Sequence, residues 1–394
     1  MKRQFLDLGK QPIANGFLSQ ITHNQEYTFN LKVGFDEETK LVSLMEFVEP
    51  EKMFNDTYVY HSSLSNTMRN HFKDAAETFK NNMNPTKVLE IGSNDGVFIR
   101  HFNKEHTIAV EPCGNFAEKT NQLGYYTFPN FWNKELSNQI VEKFGKQDLI
   151  FSANCMCHVQ DLDDAFRAVD GCLSDDGVFV FEDPSLLKMV LRGSYDQIYD
   201  EHAHIFSVLA LQNILKKHNM EIFKVEELDV HGGSNRIYAK KITNNNIKID
   251  DSVVFNVGLE TAFGLHDFQT YLDFAKRVEK SKIELVELLQ NIKSEGKKVV
   301  SYGATSKSTT VFNYCKIGRD NIEYIVDTTP DKQGKFSPGA HIPVVHPSNF
   351  DDTVDYAFLG AWNYSEEIMK KEKAFLKRGG KFITHVPRVR IVEY

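Results

Sequence analysis

Residues 88–96, VLEIGSNDG, constrain the fold of this 394-residue chain more than any other segment. The apolar run predicts a buried strand, the two glycines predict a turn, and a helical pattern begins at about Val97. In a doubly wound α/β sheet, such a turn lies at the carboxyl end of the first strand, where ligands bind. The segment therefore predicts an α/β domain with a ligand site at this turn.

The residues that follow alternate between strand and helix patterns. We predict strands at 87–91, 107–111, 148–153 and 177–182, and helices at 97–104, 114–123, 134–145 and 162–173. Such alternation is typical of a largely parallel sheet flanked by helices. Two later apolar runs, 222–228 and 235–241, would finish the sheet as an antiparallel pair.

Changes of pattern divide the chain into four parts. These are a mixed N-terminal domain at 1–70, the alternating domain at 71–245, a helical connector at 246–296 and a second small α/β domain at 297–394. Helices are predicted at 64–82, within 259–295, and at 309–316. The helix within 259–295 would connect domains or form a dimer surface. Strands of the last part are predicted at 298–302, 324–327, 356–359 and 381–386.

Composition and charge exclude several classes of protein. The net charge is −8 and no run of Lys and Arg forms a basic patch, so we expect no nucleic-acid partner. No apolar stretch of about 18 residues predicts a membrane span, and the N-terminus lacks the apolar core of a signal peptide. The five cysteines are odd in number, as in reduced cytosolic proteins. We expect a cytoplasmic protein that is a monomer or a weak homodimer.

The turn itself favours S-adenosylmethionine as the ligand. Gly92 and Gly96 allow the backbone to approach a ligand closely, and Asn94 and Asp95 can bind a charged amino-acid tail. Glu90 suits the cationic amino group of that cofactor and would sit badly beside a pyrophosphate. The GxGxxG pattern of dinucleotide-binding proteins is absent.

Two further strand ends support this cofactor. Glu111, about 20 residues on, ends the second predicted strand, where an acidic side chain can bind both ribose hydroxyls. The strand DLIFSAN ends at Asn154 and is followed by His158, so this loop would border the transferred methyl group. Phe131 and Trp132 could pack on the adenine.

Cys155, Cys157 and His158 lie close together in the sequence, in a C-x-C-H arrangement on one apolar segment. Zinc sites usually combine two such pairs, and no second pair exists elsewhere in the chain. We therefore expect no metal at this position.

Eight segments, in order along nearly the whole chain, resemble the nucleotide-sugar carbon-methyltransferases. They are LDLGKQPIANGF, EIGSNDG, FEDPSLL, SYDQIYDEHAHIFS, VEELDVHGGSNRIY, VVSYGATSKSTTVFNYC, VDTTPDKQGKFSPGAHIPV and AWNYSEEIMKKE. The resemblance implies an S-adenosylmethionine-binding, Rossmann-like central domain and a second Rossmann-like domain that binds a nucleotide-linked sugar. It also implies methylation of carbon 3 of a 4-keto-6-deoxy sugar, through proton abstraction, an enolate and methyl transfer with inversion.

The N-terminal domain departs from this family. The family usually carries four zinc-binding cysteines there, two before the LDLG segment and two about 30 residues later. Here Met1 lies just before that segment, and the corresponding later stretch reads GFDEETKLV. We therefore predict no structural zinc, and packing must supply the stability that the metal would give.

The segment SYDQIYDEHAHIFS concentrates groups suited to proton abstraction. A histidine can act as a base at neutral pH, and composition alone leaves His202 and His204 as rivals. The resemblance places the base at His202, with Tyr199 and Glu201 around it. His158 and Tyr60 are further catalytic or substrate-contact candidates.

The turn YGATSKS predicts a contact with the nucleotide. A helix start attracts anions, and Lys307 adds a positive charge. The remaining substrate-binding candidates are Tyr302, Asp327, Asn363, His231 and Gly232.

Two alternative functions stay open at this point. Two nucleotide-type domains also fit an NAD-dependent sugar-nucleotide oxidoreductase or epimerase, although GxGxxG is missing from both. Loss of the zinc cysteines also fits a non-catalytic sugar-nucleotide binding protein. The intact YDEH, HGG and EIGSNDG segments argue against the latter.

Overall fold

A computed structural model describes residues 2–21 and 26–393, and the strands of these residues form three sheets. The N-terminal sheet begins with β1 (Lys2–Pro12), β2 (Thr28–Asp36) and β3 (Val42–Leu44), which pair antiparallel in this order. A short helix, α1 (Pro50–Met53), leads out of the sheet, and α2 (Asn66–Met83) follows. The Ser65 side chain accepts a hydrogen bond from the Met68 backbone N–H and so caps the start of α2.

The central sheet has seven strands, in the order β10-β11-β8-β7-β4-β5-β6. Its strands are β4 (Val88–Ile91), β5 (Thr107–Val110), β6 (Tyr126–Phe128), β7 (Gln147–Ala153), β8 (Leu173–Pro184), β10 (Met220–Leu228) and β11 (Ser234–Lys241). Between them run α3 (Gly114–Gln122), α4 (Lys134–Phe144), α5 (Leu162–Cys172), α6 (Leu186–Arg192) and α7 (Val208–Lys217). Strands β4 to β8 are parallel, and β11 runs antiparallel to both β8 and β10.

One strand of the central segment joins the N-terminal sheet instead. β9 (His204–Ile205) pairs antiparallel with β3, opposite Val42 and Ser43. This pairing places the YDEH segment, which precedes β9, against the N-terminal domain.

The helical connector consists of α8 (Asp251–Phe263) and α9 (Phe268–Ser294). The long helix predicted within 259–295 forms as α9, and α8 is a separate helix before it, because Gly264 ends α8 in the left-handed conformation and the Asp267 side chain caps α9. Tyr271 of α9 packs between Phe5 and Phe35, with ring centroids 5.0 and 4.6 Å away. Aromatic packing thus ties the N-terminal sheet to the connector.

The C-terminal sheet has six strands, in the order β14-β13-β12-β15-β16-β17. They are β12 (Val299–Tyr302), β13 (Ile325–Val326), β14 (Val344–Val345), β15 (Tyr356–Leu359), β16 (Lys381–Thr384) and β17 (Arg390–Val392), with helices α10 (Ser306–Cys315), α11 (Ser365–Lys371) and α12 (Lys373–Lys377). All strand pairs are parallel except β16 with β17. Thr305 and Ser308 form a capping box that starts α10 directly after the YGAT turn.

The helix predicted at 97–104 does not form. Those residues make turns and a single 3₁₀ turn at Ile99–His101. The Arg100 guanidinium donates hydrogen bonds to the carbonyls of Asp95 and Gly96 and so braces this segment. Among the described residues, none of the helices combines the length and the apolar character that crossing a membrane requires.

Candidate active site

A cavity of about 680 Å³ is lined by residues of all three domains. Its wall includes Asn15 of the N-terminal domain, the β4 turn of the central domain and the YGAT turn of the C-terminal domain. Sixteen sequence-predicted site residues line it: Tyr60, Gly92, Asn94, Glu111, Phe131, Trp132, Asn154, His158, Tyr199, Glu201, His202, His231, Tyr302, Lys307, Asp327 and Asn363.

Glu90 and Asp95, two of the predicted cofactor ligands, lie behind the cavity wall. Glu90 is 2% exposed, and burial raises the pKa of its carboxyl well above the usual value. Asp95 is fully buried and accepts hydrogen bonds from the backbone N–H and the hydroxyl of Ser63. Asp95 thus anchors the loop before α2 to the turn.

The predicted glycines Gly96 and Gly232 also lie behind the wall, where they serve close packing. Both have positive φ, of 75° and 90°. A Cβ on Gly96 would lie 2.9 Å from Thr120 Cγ2, and one on Gly232 would lie 2.6 Å from Trp362 Cη2. Gly232 therefore allows Trp362 to pack closely, next to the cavity-lining Asn363.

The β4 turn is held in place by polar contacts. Glu111 accepts backbone hydrogen bonds from Asn94, at 2.7 Å, and from Cys113, at 2.9 Å. Asn94 in turn accepts from the Ser62 backbone N–H and donates to the Tyr60 carbonyl, both at 3.0 Å. A carboxylate has about four lone pairs, so these bonds, together with one from the Cys113 thiol, leave Glu111 able to accept from a ligand hydroxyl.

Gly92 has a conformation and surroundings that only glycine fits. Its φ is 75°, and a Cβ would lie 2.7 Å from Cys155 Sγ. Asn154, next to Cys155, has a φ of 50°. The two strand ends therefore approach one another closely beside the cavity, which suits a ligand held against bare backbone.

His202 has a defined tautomer. Its Nδ1 lies 2.6 Å from the backbone carbonyl oxygen of Gln197. A carbonyl oxygen only accepts, so Nδ1 carries the hydrogen and donates it, and Nε2 of the neutral ring keeps its lone pair. Burial, reinforced by the ring of His158 and the charge of Lys307, holds the pKa of His202 well below its usual value. The imidazole is therefore neutral at physiological pH.

Aromatic rings surround His202. The Tyr199 ring centroid lies 4.0 Å away and that of His158, stacked at 22°, lies 5.4 Å away. Phe54 stacks on the other side of His158 at 5.3 Å. Burial lowers the pKa of His158 to about 3 and raises that of Tyr199 well above its usual value. Tyr199 therefore keeps its proton and can donate a hydrogen bond.

The rival base His204 does not line the cavity. It belongs to β9 of the N-terminal sheet, and its Nε2 lies 3.3 Å from the Gln160 carbonyl oxygen. Burial lowers the pKa of His204 to about 4.

Glu201 lies between the domains. It accepts hydrogen bonds from Asn15 Nδ2 at 2.6 Å and from the Tyr58 hydroxyl at 3.0 Å. Its neighbour Asp200 accepts from the Ala14 backbone N–H at 2.9 Å. Burial raises the pKa of Glu201, and the bonds from Asn15 and Tyr58 oppose this shift because they stabilise the carboxylate.

The C-terminal wall carries two lysines. Lys307 lines the cavity, and burial lowers its pKa against the opposing charges of Asp196 and Glu201. Lys332, 6% exposed, donates to the Ala304 carbonyl at 2.8 Å, and burial lowers its pKa too. An anionic ligand would offset the free-energy cost of burying both ammonium groups.

Asp327 and His231 complete this wall. Asp327 accepts backbone hydrogen bonds from Ala304 and Thr329, both at 2.7 Å, and so fixes the YGAT turn. His231 has a φ of 54°, an uncommon conformation for a residue with a side chain, and burial lowers its pKa to about 3.

Sequence reasoning missed several cavity-lining residues. Among them are Asn15, Phe54, Tyr58 and Lys332. Asn15 and Lys332 lie within the quoted segments LDLGKQPIANGF and VDTTPDKQGKFSPGAHIPV, so the resemblance contained a signal for them. Phe54 and Tyr58 belong to the aromatic cluster that precedes α2, and no local pattern singles them out.

Family models match three stretches of the chain. They are described as "C-methyltransferase C-terminal domain" at 229–387, "Methyltransferase domain" at 60–225 and "Putative zinc binding domain" at 1–54. Together with the sheet order of the central domain, the second match confirms the predicted Rossmann-like, S-adenosylmethionine-dependent methyltransferase fold.

Similar proteins are also methyltransferases. The C-methyltransferase NovU of Streptomyces niveus is 30% identical over 394 residues, which cover 98% of this chain and 93% of NovU. Among solved structures, an S-adenosylmethionine-dependent methyltransferase from Clostridium acetobutylicum is 17% identical, with a TM-score of 0.35, over 44% of this chain and 92% of that one. An S-adenosylmethionine-dependent methyltransferase from Anabaena variabilis is 15% identical, with a TM-score of 0.36. The match covers 45% of this chain and 86% of that one.

The N-terminal match stands against the expectation that no zinc is bound. Residues 1–54 contain no cysteine and a single histidine, His23, which lies outside the described residues. A structural zinc site needs four ligands, mostly cysteine and histidine, so this donor set does not fit a structural zinc. The absence of zinc from this domain stays a prediction.

Proposed function

The chain belongs to the C-methyltransferase family, and from this membership we propose that it methylates carbon 3 of a nucleotide-linked 4-keto-6-deoxy sugar with S-adenosylmethionine. One observation carries the proposal: the Nδ1–H of His202 donates to a backbone carbonyl 2.6 Å away, inside a cavity shared by all three domains. The free Nε2 of such a neutral imidazole is a general base.

The proposed reaction begins when His202 Nε2 removes the proton from carbon 3. The adjacent ketone accepts the charge as an enolate, and Tyr199, whose ring lies 4.0 Å from that of His202, would donate a hydrogen bond to the enolate oxygen. His158 and Tyr60 line the same part of the cavity and would orient the sugar ring. S-adenosylmethionine, when bound, supplies an electrophilic methyl group, and its delivery to the face opposite His202 gives inversion.

Central-domain residues would hold the cofactor. Gly92 and Asn154 offer bare backbone beside the cavity, and Asn94, Glu111 and Phe131 line the same wall. We propose that Glu111 binds the ribose hydroxyls and that Phe131 packs on the adenine. Glu90, Asp95 and Gly96 would act indirectly, by fixing the turn from behind.

C-terminal residues would hold the nucleotide. Lys307 and Lys332 are cations in a desolvated wall, which suits a diphosphate. Tyr302, Asp327 and Asn363 of the same domain also line the cavity, as does His231 of the central domain. We propose these residues as substrate contacts, with Gly232 acting through Trp362.

Solvent exchange at carbon 3 tests the proposed base directly. His202→Asn should abolish proton–deuterium exchange at this carbon while leaving S-adenosylmethionine binding, measured by calorimetry, unchanged. His204→Asn is the matched control, since His204 does not line the cavity. Exchange at the normal rate in His202→Asn would show that another group is the base.

A panel of nucleotide-linked 4-keto sugars, scored for methyl transfer by mass, tests the substrate. The panel should vary the nucleotide (thymidine, guanosine, cytidine) and the substituent at carbon 3 (hydroxyl, amino, hydrogen). Methyl transfer to none of these sugars, by protein that binds S-adenosylmethionine, would contradict the proposed substrate class. Absence of S-adenosylmethionine binding itself would instead favour a non-catalytic binding protein.

Other expectations about partners remain proposals. We propose that the protein is cytoplasmic, binds no nucleic acid, and is a monomer or a weak homodimer. Light scattering coupled to size-exclusion chromatography, over a range of concentrations, measures the oligomeric state.

A further inference from the structure

A cluster of three metal-ligating side chains lies at the edge of the cavity. Cys157 Sγ, one ring nitrogen of His158 and one of His202 all lie within 4.8 Å of one another. The sequence analysis predicted no metal here, because the C-x-C-H segment is not matched by a second pair of metal ligands elsewhere in the chain. The fold supplies the further ligand from a distant segment, the imidazole of His202.

The histidines of this cluster have free coordinating capacity. His158 Nε2 is buried and has no hydrogen-bond partner among the residues that the structure describes. His202 uses Nδ1 to donate to Gln197 and keeps the lone pair on Nε2. A buried, unpartnered imidazole nitrogen is costly, and coordination to a cation would satisfy it.

Cys157 completes the cluster from behind the cavity wall. It is 1% exposed and does not line the cavity, whereas both histidines do. An ion would therefore enter through the cavity and meet the imidazoles first. Burial raises the pKa of the Cys157 thiol well above its usual value, so the free protein holds it protonated.

We propose that Cys157, His158 and His202 form a binding site for a thiophilic divalent cation, of which Zn²⁺ is the best match. Zinc takes Cys and His ligands, and a site with three protein ligands keeps a fourth position open. Ligand atoms around a tetrahedral zinc are roughly 3.5 Å apart, so the side chains must close by about 1 Å. On binding, one S–Zn and two N–Zn bonds form, water leaves the ion, and the thiol proton passes to the solvent buffer.

The ion would inhibit methyl transfer. It would occupy the imidazole that the proposed reaction needs as a base, so the same ring cannot accept a proton from carbon 3. This consequence rests on the proposed function, whereas metal binding itself does not. The cluster would thus make the enzyme sensitive to free zinc, although its N-terminal domain lacks the cysteines of a structural site.

Cobalt titration of the metal-stripped, full-length protein tests the binding. A Co²⁺–thiolate bond gives a charge-transfer absorption band, and we expect one saturable band that Zn²⁺ displaces. Cys157→Ser should lose the band, whereas the matched control Cys155→Ser, two residues away in the same loop, should keep it. Cys157→Ala, checked by thermal unfolding, serves if the serine variant does not fold.

Two results of this titration would overturn the proposal. One is the absence of a saturable thiolate band in the wild-type protein. The other is a band of equal strength and affinity in folded Cys157→Ser, which would locate the metal elsewhere, including the N-terminal domain.

Activity provides the second arm. Zn²⁺ should inhibit the wild-type enzyme over the range in which it binds, and a chelator should restore the rate. Cys157→Ser, with normal metal-free activity, should need at least roughly tenfold more Zn²⁺ for the same inhibition. Equal sensitivity of both proteins would contradict the inhibition. If His202 proves not to be the base, the cobalt titration still tests metal binding. Failure of the proposed function and failure of the metal site can therefore be distinguished.

Discussion

Asn15 of the N-terminal domain donates a hydrogen bond of 2.6 Å to Glu201, next to the proposed base His202. The N-terminal domain therefore contributes directly to the cavity, through a segment that follows β1. Together with the bond from the Ala14 backbone to Asp200, this contact holds the YDEH segment from one side. Residues of the C-terminal domain form another part of the cavity wall.

Asn15→Ala should lower kcat by about 10-fold or more, since a hydrogen bond to a charged group contributes about 1.5–3 kcal/mol. The bond from Asn15 favours the ionised form of Glu201, so its loss should raise the pKa of Glu201 further. Any step that needs the carboxylate should then lose rate at a higher pH than in the wild-type enzyme. Asn30→Ala, which removes an exposed amide–carboxylate bond to Glu46, is the control for kcat and the pH profile. Equal effects of the two substitutions would argue against a role for Asn15.

Nitrogen-15 NMR of labelled histidine tests the tautomer of His202. We expect hydrogen on Nδ1 and a lone pair on Nε2, because Nδ1 donates to the Gln197 carbonyl. Burial lowers the pKa of this imidazole, so the neutral form should persist as the pH falls through 6.5, the usual histidine value. A ring protonated on Nε2, or charged at pH 6.5, would contradict this assignment.

Lys307→Gln should weaken binding of the nucleotide-linked sugar by roughly 10- to 100-fold, as expected for loss of a charge-assisted hydrogen bond. Calorimetry with a nucleoside diphosphate measures this effect without catalysis, and S-adenosylmethionine binding should not change. Lys370→Gln on α11 removes an exposed charge and is the matched control. Unchanged nucleotide affinity in Lys307→Gln would remove Lys307 from the proposed diphosphate site.

Gly92→Ala should weaken S-adenosylmethionine binding. The added Cβ meets Cys155 Sγ at 2.7 Å, in a backbone conformation with a φ of 75°. Gly296→Ala separates the two effects, because Gly296 has a φ of 70° but, its chain neighbours aside, no atom of residues 2–21 or 26–393 lies within 4 Å of the added Cβ. Both variants should lose about 1–2 kcal/mol of stability from backbone strain. Only Gly92→Ala should lose cofactor affinity, measured by calorimetry.

Glu260 should make stability depend on pH. It accepts hydrogen bonds from the backbone N–H groups of Val208 and Leu209 at the start of α7, and burial raises its pKa from 4.5 to about 7. A raised carboxyl pKa disfavours the folded state as the group ionises. Relative to Glu260→Gln, the wild-type protein should therefore lose roughly 3 kcal/mol of stability as the pH rises from 4.5 through 7. Denaturant unfolding of both proteins at several pH values measures the difference, and a constant difference would contradict the expectation.

The local spacing of apolar residues was enough to predict most helices and strands of the α/β domains. The strand predicted at 356–359 has these bounds in the structure, and the helix predicted at 114–123 forms as Gly114–Gln122. Strand β6 was not predicted because it spans only Tyr126–Phe128 at the sheet edge, too short for an alternating pattern. The break between α8 and α9 had a signal, since the GLHD segment combines a glycine C-cap with an aspartate N-cap.

Contacts between distant segments explain why sequence patterns did not predict some residues of the candidate site. The pairing of β3 with β9 joins residues more than 150 positions apart, and no local pattern encodes it. This pairing brings Tyr58 and Asn15 to Glu201, so their positions follow from tertiary structure alone. Similarly, only the folded chain brings His202 to within reach of Cys157.

The acceptor that sets the tautomer of His202 is a main-chain carbonyl. Every amino acid provides such a group, so a substitution at position 197 leaves the acceptor in place as long as the backbone path is kept. A point mutation at position 197 should therefore leave the tautomer of the proposed base His202 unchanged, whereas a base oriented by a carboxylate side chain would lose its acceptor. Side chains around the cavity can therefore change, and the ligands they select with them, while the lone pair on His202 Nε2 is kept.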